Sequence, residues 1–493
     1  MIPAVKYVLI ALAVIALVVQ AGEVFGAVAG TPSLRRAFTS RTAQQGLRTT
    51  VSPNIHVSAP RPSSPFNEVV IAAHPTDPRR LLACAMLEPG PNRSVKSAAW
   101  VSADGGRTWS APVITTAHWA NDPTCAWDAQ GTAFFLHKVN DGNPPPAGAV
   151  NSDFDYLGIE RSPDDGRSWH PMVRGPQVND RPFVAIDAAD GALYVAYNGH
   201  LHGEQQQHTN ASFRNTVALM RSDDGGQTFA PPAQCALMDQ TETAGSNAGM
   251  DAVVVLPDRS VAVLYTHMTL AAPTAAGAAT LTGKPTVVSS TLMLARSTDG
   301  GRTLAPATAV AEVSSGYNLP HARGITGTMA VDASSGPHRG RLYVTWADFA
   351  TGRGHILLTH SDDAGQTWFA TRTVNDDSTT RLPNGGPDHS MATVAVNRDG
   401  VVGVLWYDRG DFPTGDGYLP RFAASVDGGR TWGASVAVST APNSSAAHRS
   451  GDYLPNGGDT AGLTAAADGR FHALWIDNRT GVQQVWTAAI SLR

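Results

Sequence analysis

The feature that most constrains this chain of 493 residues is an octapeptide motif that occurs six times. It reads Ser-x-Asp-x-Gly-x-Thr/Ser followed by an apolar residue, which is usually Trp. A motif that returns at a nearly constant spacing indicates a repeat architecture, in which each repeat is one small supersecondary unit. An enzyme needs a catalytic group once, so a motif present in nearly every repeat is predicted to be structural. The copies begin at Ser102, Ser162, Ser222, Ser297, Ser361 and Ser425.

The residues of the octapeptide suit a tight turn between two strands. In the first copy the Asp104 carboxylate can accept hydrogen bonds from the backbone N–H groups that follow it. Gly106 suits a backbone position with positive φ, and the Thr108 hydroxyl can bond to the same turn. Trp109 then leads the next strand into the packing between sheets. We therefore predict that each copy is a hairpin turn that holds one repeat together.

The octapeptides resemble the Asp-boxes, also called BNR repeats, of the sialidase superfamily, and this resemblance covers the chain after residue 50. It implies an all-β propeller of four-stranded antiparallel blades. Short alternating apolar stretches bounded by Gly, Asp and Pro are also strand signals. We expect seven blades, with six as the alternative because sialidases are six-bladed. The seventh unit has no octapeptide and only three strands, so residues 54–58 are predicted to complete it and close the ring.

The order of the strands predicts which face of the propeller carries function. In a four-stranded meander, the turns after the first and third strands lie on one face, and the other connections lie on the opposite face. The octapeptides follow third strands, whereas the long insertions follow second or fourth strands. Long loops in a compact body tend to carry function. We predict a binding site around the central channel, on the face opposite the octapeptides.

Acidic residues are predicted to ring the mouth of this channel, because they occur where first strands begin. Such a cluster cannot stay fully ionised unless cations or hydrogen-bond donors compensate for it. Either some pKa values rise or a metal ion binds, and an oxygen-rich ring would suit Ca²⁺. The carboxylates concerned are Glu68, Asp122, Asp180, Asp251, Asp388 and Asp459.

The resemblance to sialidases implies an exo-glycoside hydrolase that acts on acidic glycans. Sialidases use three arginines to bind the sugar carboxylate, a tyrosine nucleophile with a glutamate partner, and an aspartic acid as proton donor. The chain lacks the Arg-Ile-Pro motif of that family, and Glu68 stands near the position where its arginine is expected. The residues that match in chain order are Asp122 as the acid, Glu242 as the tyrosine's partner, Tyr453 as the nucleophile, and Arg181, Arg323 and Arg409 as the clamp.

Two other function classes remain open at this point. Some polysaccharide lyases are seven-bladed propellers that use a His and Tyr pair for proton transfer, and Tyr197, His200 and His202 would fill those roles. A propeller that binds glycan or protein without turnover is the third class, because a fold does not by itself imply a reaction.

The remaining sequence features concern the location and partners of the protein. Lys6, the apolar run 8–19 and the Ala-Val-Ala of 27–29 are typical of a signal peptide, so we expect export to an extracytoplasmic space. We divide the chain into a signal peptide (1–29), a linker (30–50) and the propeller (51–493). An uncleaved leader would anchor the protein to a membrane. A net charge of −5 without a basic run disfavours nucleic acid, and we expect a monomer whose partner is a glycan.

The chain has three cysteines, an odd number that cannot all pair internally. Cys84 and Cys125 fall in neighbouring repeats and can meet across two blades, either as a disulfide or as buried thiols. Cys235 is the third.

Overall fold

The computed structural model describes residues 42–44, 46–88, 94–140, 142, 155–200, 215–234, 246–270, 287–314, 327–351, 354–376, 389–410, 417–444 and 457–493. Within these ranges the chain forms β-strands and no helix, so they include no helix that is long and apolar enough to cross a membrane.

The strands form seven antiparallel sheets, the blades, each a meander of consecutive strands. Two short strands precede the first blade: β1 (Thr49–Val51) and β2 (Ile55–His56). Blade 1 consists of β3 (Phe66–Ala73), β4 (Leu81–Leu87), β5 (Lys96–Ser102) and β6 (Val113–Ile114). Blade 2 consists of β7 (Trp119–Trp127), β8 (Ala133–Asn140), β9 (Tyr156–Ser162) and β10 (Val173–Gln177). Blade 3 consists of β11 (Asp180–Ile186), β12 (Leu193–His200), β13 (Asn215–Ser222) and β14 (Ala233–Gln234).

The remaining blades repeat this plan. Blade 4 consists of β15 (Ser246–Val255), β16 (Val261–Leu270), β17 (Val287–Ser297) and β18 (Thr308–Val313). Blade 5 consists of β19 (Gly327–Val331), β20 (Leu342–Asp348), β21 (His355–Ser361) and β22 (Arg372–Thr373). Blade 6 consists of β23 (His389–Val396), β24 (Val402–Asp408), β25 (Gly417–Ser425) and β26 (Val436–Ala437), with β27 (Asn443–Ser444) also paired to β25. Blade 7 consists of β28 (Gly462–Ala465), β29 (Phe471–Asp477) and β30 (Gln484–Leu492).

The first strands of the blades form a closed ring around the axis. Each one contacts the first strand of the next blade, from β3 through β7, β11, β15, β19, β23 and β28 and back to β3. The prediction of seven blades is therefore confirmed, and the six-bladed alternative is wrong.

Blade 7 is completed by the N-terminal strands. β1 pairs with the end of β30, with Thr50 opposite Ser491, and β2 pairs with its first half, with Ile55 opposite Thr487. This confirms that a strand before the first unit closes the ring. The closure begins earlier than predicted, because β1 already pairs with β30 before residues 54–58. Upstream of β1, the Gln44 N–H donates to the Trp432 carbonyl of blade 6 at 2.8 Å.

The apolar core lies between neighbouring blades rather than at the axis. Each of the seven blade interfaces contains its own cluster of buried apolar side chains, such as Phe66 and Trp100 of blade 1 packed with Leu474 of blade 7. Burial of this area is the main stabilising contribution to such a ring. Five tryptophans are fully buried, and they are Trp100, Trp346, Trp406, Trp432 and Trp475.

The octapeptides form the predicted hairpin turns. In six blades the third strand ends at the serine of the octapeptide. In the first copy the Asp104 carboxylate accepts hydrogen bonds from the Thr108 N–H and hydroxyl at 2.9 and 2.6 Å, and from the Ser102 hydroxyl at 2.9 Å. The Gly105 N–H donates to the carbonyl of Arg79, in the turn after the first strand, at 2.7 Å. The octapeptides therefore share a face with the first-strand turns, as the strand order predicts.

The two cysteines of blades 1 and 2 meet as expected. Cys84 and Cys125 are buried free thiols in one apolar cluster, on β4 and β7. Burial raises the pKa of the Cys84 thiol, and a hydrogen bond with Cys125 raises it further. They behave as core residues. Cys235 lies outside the described residues.

Candidate functional site

Bulges in the first strands aim polar side chains into the mouth of the channel. In β3, β7, β11 and β23, two residues face a single residue of the second strand, and the first of the two has a left-handed backbone. These four residues are Glu68, Asp122, Arg181 and Met391, with φ between 46° and 57°. A bulge bends the strand and redirects its side chains. A left-handed residue other than glycine costs about 1–3 kcal/mol, and such strain concentrates at functional sites.

Proline follows two of these residues and suits the bulge. Pro123 comes after Asp122 and Pro182 after Arg181. The ladder of hydrogen bonds is interrupted there, so the missing N–H of proline removes no strand pairing. The sequence therefore favours this bulge locally in blades 2 and 3.

Residues from four blades line a partly open cavity of about 30 Å³ at this mouth. That volume holds one or two water molecules or a single small substituent of a ligand. Blades 7, 1, 2 and 3 supply its walls, and the polar lining residues are Glu68, Asp122, Arg181, Asp459 and Thr460.

Lys138 on β8 neutralises one side of the cluster. Its Nζ lies 3.1 Å from Asp180 Oδ1, 3.4 Å from Asp122 Oδ2 and 3.7 Å from Asp155 Oδ2. The side chains of Lys138 and Asp155 are only 8% and 5% exposed, whereas that of Asp180 is 39% exposed, so water reaches one side of this group. Burial works against its ionisation, but Asp180, Asp122 and Asp155 outweigh burial and raise the pKa of Lys138. A buried ammonium needs such partners.

Arg181 is held on the other side by Asp459, to which its Nη2 donates at 2.9 Å. Asp180 lies farther away, at 4.0 Å from Arg181 Nε. Burial opposes the charge of the guanidinium, but Asp459, followed by Asp180, Asp251 and Asp122, outweighs burial and raises the pKa of Arg181. The guanidinium is therefore a fixed positive charge at the mouth.

Asp122 is a carboxyl group with a raised pKa. Burial raises the pKa of Asp122 to about 6, Lys138 opposes this, and Asp180 raises the pKa further. Asp180 behaves in the opposite way, because Lys138 and Arg181 outweigh the effect of its burial and lower its pKa. Environments that push the pKa values of two neighbouring carboxyl groups apart are typical of acid–base sites. At mildly acidic pH, Asp122 holds a proton while Asp180 is ionised.

Glu68 is the most isolated carboxyl group of the site. It is 8% exposed and lines the cavity, and its backbone N–H donates to the Gly457 carbonyl at 2.9 Å. In the described ranges its side chain has no hydrogen bond or ion pair. Burial raises the pKa of Glu68 well above its usual value, and the charges of Asp122 and Asp459 raise it further, against the effect of Arg181.

The structure brings together two of the six residues predicted from the sialidase resemblance. Asp122 and Arg181 line the same cavity. Arg409 is buried at the end of β24 in blade 6 and does not line this cavity. Glu242, Arg323 and Tyr453 lie outside the described residues, as does Asp388.

Of the three residues predicted for a lyase, the one whose side chain is described is not placed for proton transfer. Tyr197 on β12 is 4% exposed and packs in the apolar cluster between blades 2 and 3. Burial raises the pKa of Tyr197 to about 12. The His200 side chain and all of His202 lie outside the described residues.

Of the two alternatives for the acidic mouth, a bound Ca²⁺ gains no support from the described ranges. They hold no group of three or more His, Cys, Asp or Glu side chains arranged to bind a metal ion. Lys138 and Arg181 instead provide the positive charge among the carboxylates.

Sequence reasoning missed Lys138, although a signal for it existed. The lysine interrupts the apolar segment Phe134–Val139, and a charged residue inside a buried strand requires a partner. Glu68 was predicted at the mouth, but its lack of hydrogen-bond partners among the described residues is visible only in the structure.

No protein-family model matches the chain. A sialidase of Micromonospora viridifaciens is 27% identical over 339 residues, which make up 64% of this chain and 45% of that protein. The matched region thus spans less than half the length of this relative.

Solved structures resemble the chain in fold alone. An ulvan lyase from a polysaccharide lyase family has a TM-score of 0.51 at 12% identity, covering 88% of this chain and 95% of its own. A Hadza microbial sialidase has a TM-score of 0.44 at 16% identity, covering 83% and 76%. Because a ring of four-stranded blades occurs here together with sequence similarity to a sialidase, the chain is a sialidase-like β-propeller.

Proposed function

We propose that this propeller is an extracytoplasmic exo-glycoside hydrolase and that Asp122 donates the proton to the leaving oxygen at the channel mouth. The observation that carries this proposal is the state of Asp122: a mostly buried carboxyl group that lines the cavity, with a pKa of about 6. A general acid works best when its pKa lies near the working pH. Asp122 fits this requirement at mildly acidic pH.

The other roles in the proposal come from the sialidase resemblance. Tyr453 would attack the anomeric carbon with Glu242 as its partner, and both lie outside the described residues. The clamp for a sugar carboxylate would need Arg181, Arg323 and Arg409. Since Arg181 is already bonded to Asp459, the clamp is the weakest part of the resemblance.

The test compares Asp122→Asn with the wild type on two sets of aryl glycosides. One set has dinitrophenyl leaving groups, which need little protonation, and the other has poorer leaving groups, which need an acid. Loss of a general acid is expected to lower kcat/KM about 10²- to 10⁴-fold for the poorer leaving groups, and far less for the dinitrophenyl set. Asp399→Asn, whose side chain is 63% exposed on the octapeptide face, is the matched control.

Three outcomes would contradict this assignment. Equal losses on both sets would exclude Asp122 as the acid. An active Tyr453→Phe variant would remove the nucleophile. Glycan binding without any turnover would identify a binding propeller instead.

A further inference from the structure

The described part of the channel mouth carries more carboxyl groups than cations. Among the described residues, the cluster contains six carboxyl groups and two cations. The carboxyl groups belong to Glu68, Asp122, Asp155, Asp180, Asp251 and Asp459, and the cations are Lys138 and Arg181. Such a surplus disfavours a ligand that brings another carboxylate and favours one that brings a positive charge.

Both cations are already engaged with the chain's own carboxylates. Lys138 has three acidic neighbours within 3.7 Å, and Arg181 donates to Asp459 at 2.9 Å. A carboxylated sugar would have to displace Asp459 before it could bind Arg181. That exchange replaces one ion pair by another and leaves the displaced aspartate buried, so it brings little gain.

Glu68 is the group that points to a ligand. A buried carboxyl group without a hydrogen-bond partner is costly, and native structures contain few of them. This one lines the cavity, is 8% exposed and has no hydrogen bond or ion pair in the described ranges. The bulge at β3 holds it there with a left-handed backbone (φ 52°).

The size of the cavity limits what can reach Glu68. The cavity, of about 30 Å³ and partly open at the mouth, has room for a single small substituent. The ring of a sugar would stay at the mouth while one group enters. A primary ammonium group fits this volume and can donate to Glu68.

We propose that the channel mouth binds an amino sugar, with the protonated amine entering the cavity to pair with Glu68, and that it discriminates against carboxylated sugars. This inference rests on the proposed glycan-directed function and names its substrate class. It reverses the charge preference that the sialidase resemblance implies.

Binding of the amine is linked to the release of a proton. Before a ligand binds, Glu68 keeps its proton to a higher pH than usual, because it is buried and faces Asp122, Asp459 and Asp180, whose effect on its pKa Arg181 opposes. An arriving ammonium favours the ionised carboxylate, so the proton leaves Glu68 as the pair forms. Up to one proton is expected to be released for each ligand bound.

The experiment is isothermal titration calorimetry of the full chain at about pH 6, where sugar amines are protonated. The probes are chitosan oligosaccharides, their N-acetylated counterparts of equal length, and oligouronates. We expect the amino oligosaccharides to bind about 10- to 100-fold more tightly than the N-acetylated ones, because the contact joins two charged groups. Repeating the titration in buffers of different ionisation enthalpy counts the released protons.

Glu68→Gln removes the ionisable carboxyl group at constant shape and is expected to abolish both the preference for amines and the proton release. Asp399→Asn removes a charge from the opposite face and is expected to change neither. The proton count in the wild type needs no variant, so the inference stays testable even if Glu68→Gln folds poorly.

Equal affinity for amino and N-acetylated sugars, tighter binding of oligouronates, or an amine preference that survives Glu68→Gln would each overturn this inference. Hydrolysis of aryl glycosides without any amine preference would overturn it while leaving the proposed function intact. Amine-selective binding without hydrolysis of any glycoside would do the reverse.

Discussion

Replacing Lys138 by Met tests the electrostatics of the channel mouth, whatever reaction occurs there. The change keeps the length and most of the volume of the side chain but removes the charge that three carboxylates share. At 3.4 Å and an effective dielectric constant of about 20, the pair with Asp122 is worth about 5 kcal/mol before desolvation, and the pair with the more exposed Asp180 is worth less. Desolvation of the lysine offsets much of this, and breaking a buried ion pair from one side costs about 3–5 kcal/mol. We expect that loss in the free energy of unfolding at about pH 8.

The destabilisation caused by Lys138→Met should be smaller in acid, because the folded and unfolded variant bind different numbers of protons. Without Lys138, the pKa values of Asp122 and Asp155, which burial already raises, rise further above those of the unfolded chain, and the lowered pKa of Asp180 moves up toward its unfolded value. The folded variant therefore binds more protons than the unfolded one, and its stability falls as the pH rises. Near pH 4 we expect the penalty to drop to about 1 kcal/mol, as the carboxyl groups become neutral.

Guanidinium denaturation of wild type and variant at several pH values measures this difference. Lys96→Met is the matched control, because Lys96 donates to the main-chain carbonyls of Ala117 and His118, which do not titrate. Its penalty should be independent of pH. A Lys138→Met penalty that stays constant between about pH 4 and 8, or that grows in acid, would refute the electrostatic account of this site.

Three further predictions concern other parts of the molecule. Glu160 is buried beside His137, and burial raises its pKa to about 7. The free energy of unfolding should therefore fall by about 3 kcal/mol between about pH 4.5 and 7, because the folded chain holds this proton more tightly than the unfolded one. Glu160→Gln should remove this fall in pH-dependent denaturation, and an unchanged pH slope would contradict the prediction. Asp427→Ala removes the acceptor of four hydrogen bonds in the last octapeptide and should lower the free energy of unfolding by about 2–4 kcal/mol, whereas a loss below about 0.5 kcal/mol would contradict a structural role. Gly458→Ala places a Cβ 2.4 Å from Glu68 Cγ, at a backbone φ of +98°. It should therefore weaken glycan binding in calorimetry and lower the melting temperature. A wild-type affinity together with a wild-type melting temperature would show that Glu68 is not fixed there.

The blade count and the face of the site could be predicted from the sequence because both follow from local chemistry. The octapeptide is a turn whose hydrogen bonds lie within eight residues, so the same residues produce the same structure in six blades. Once those turns are placed after third strands, alternation of the chain between faces puts Asp122 and Arg181 at the other end. In the structure both residues line one cavity, near the start of β7 and β11.

The partners within the site could not be predicted because they come from different blades. Lys138 of blade 2 contacts Asp180 of blade 3, and Arg181 of blade 3 contacts Asp459 of blade 7, 278 positions away. Such pairs depend on the register of each strand and on the bulges, which have no reliable sequence signal for residues other than glycine. The isolation of Glu68 is likewise a property of its surroundings.

The pairing of β1 with β30 has a consequence for how the molecule reaches its native state. Residues 441 positions apart, Thr50 and Ser491, must meet before the last blade is complete. Closing so long a loop is slow, because its entropic cost precedes any reward from contacts. The first strands must therefore keep their edges unpaired until nearly the whole chain is available, and a chaperone that shields those edges would prevent them from pairing with other chains in the meantime.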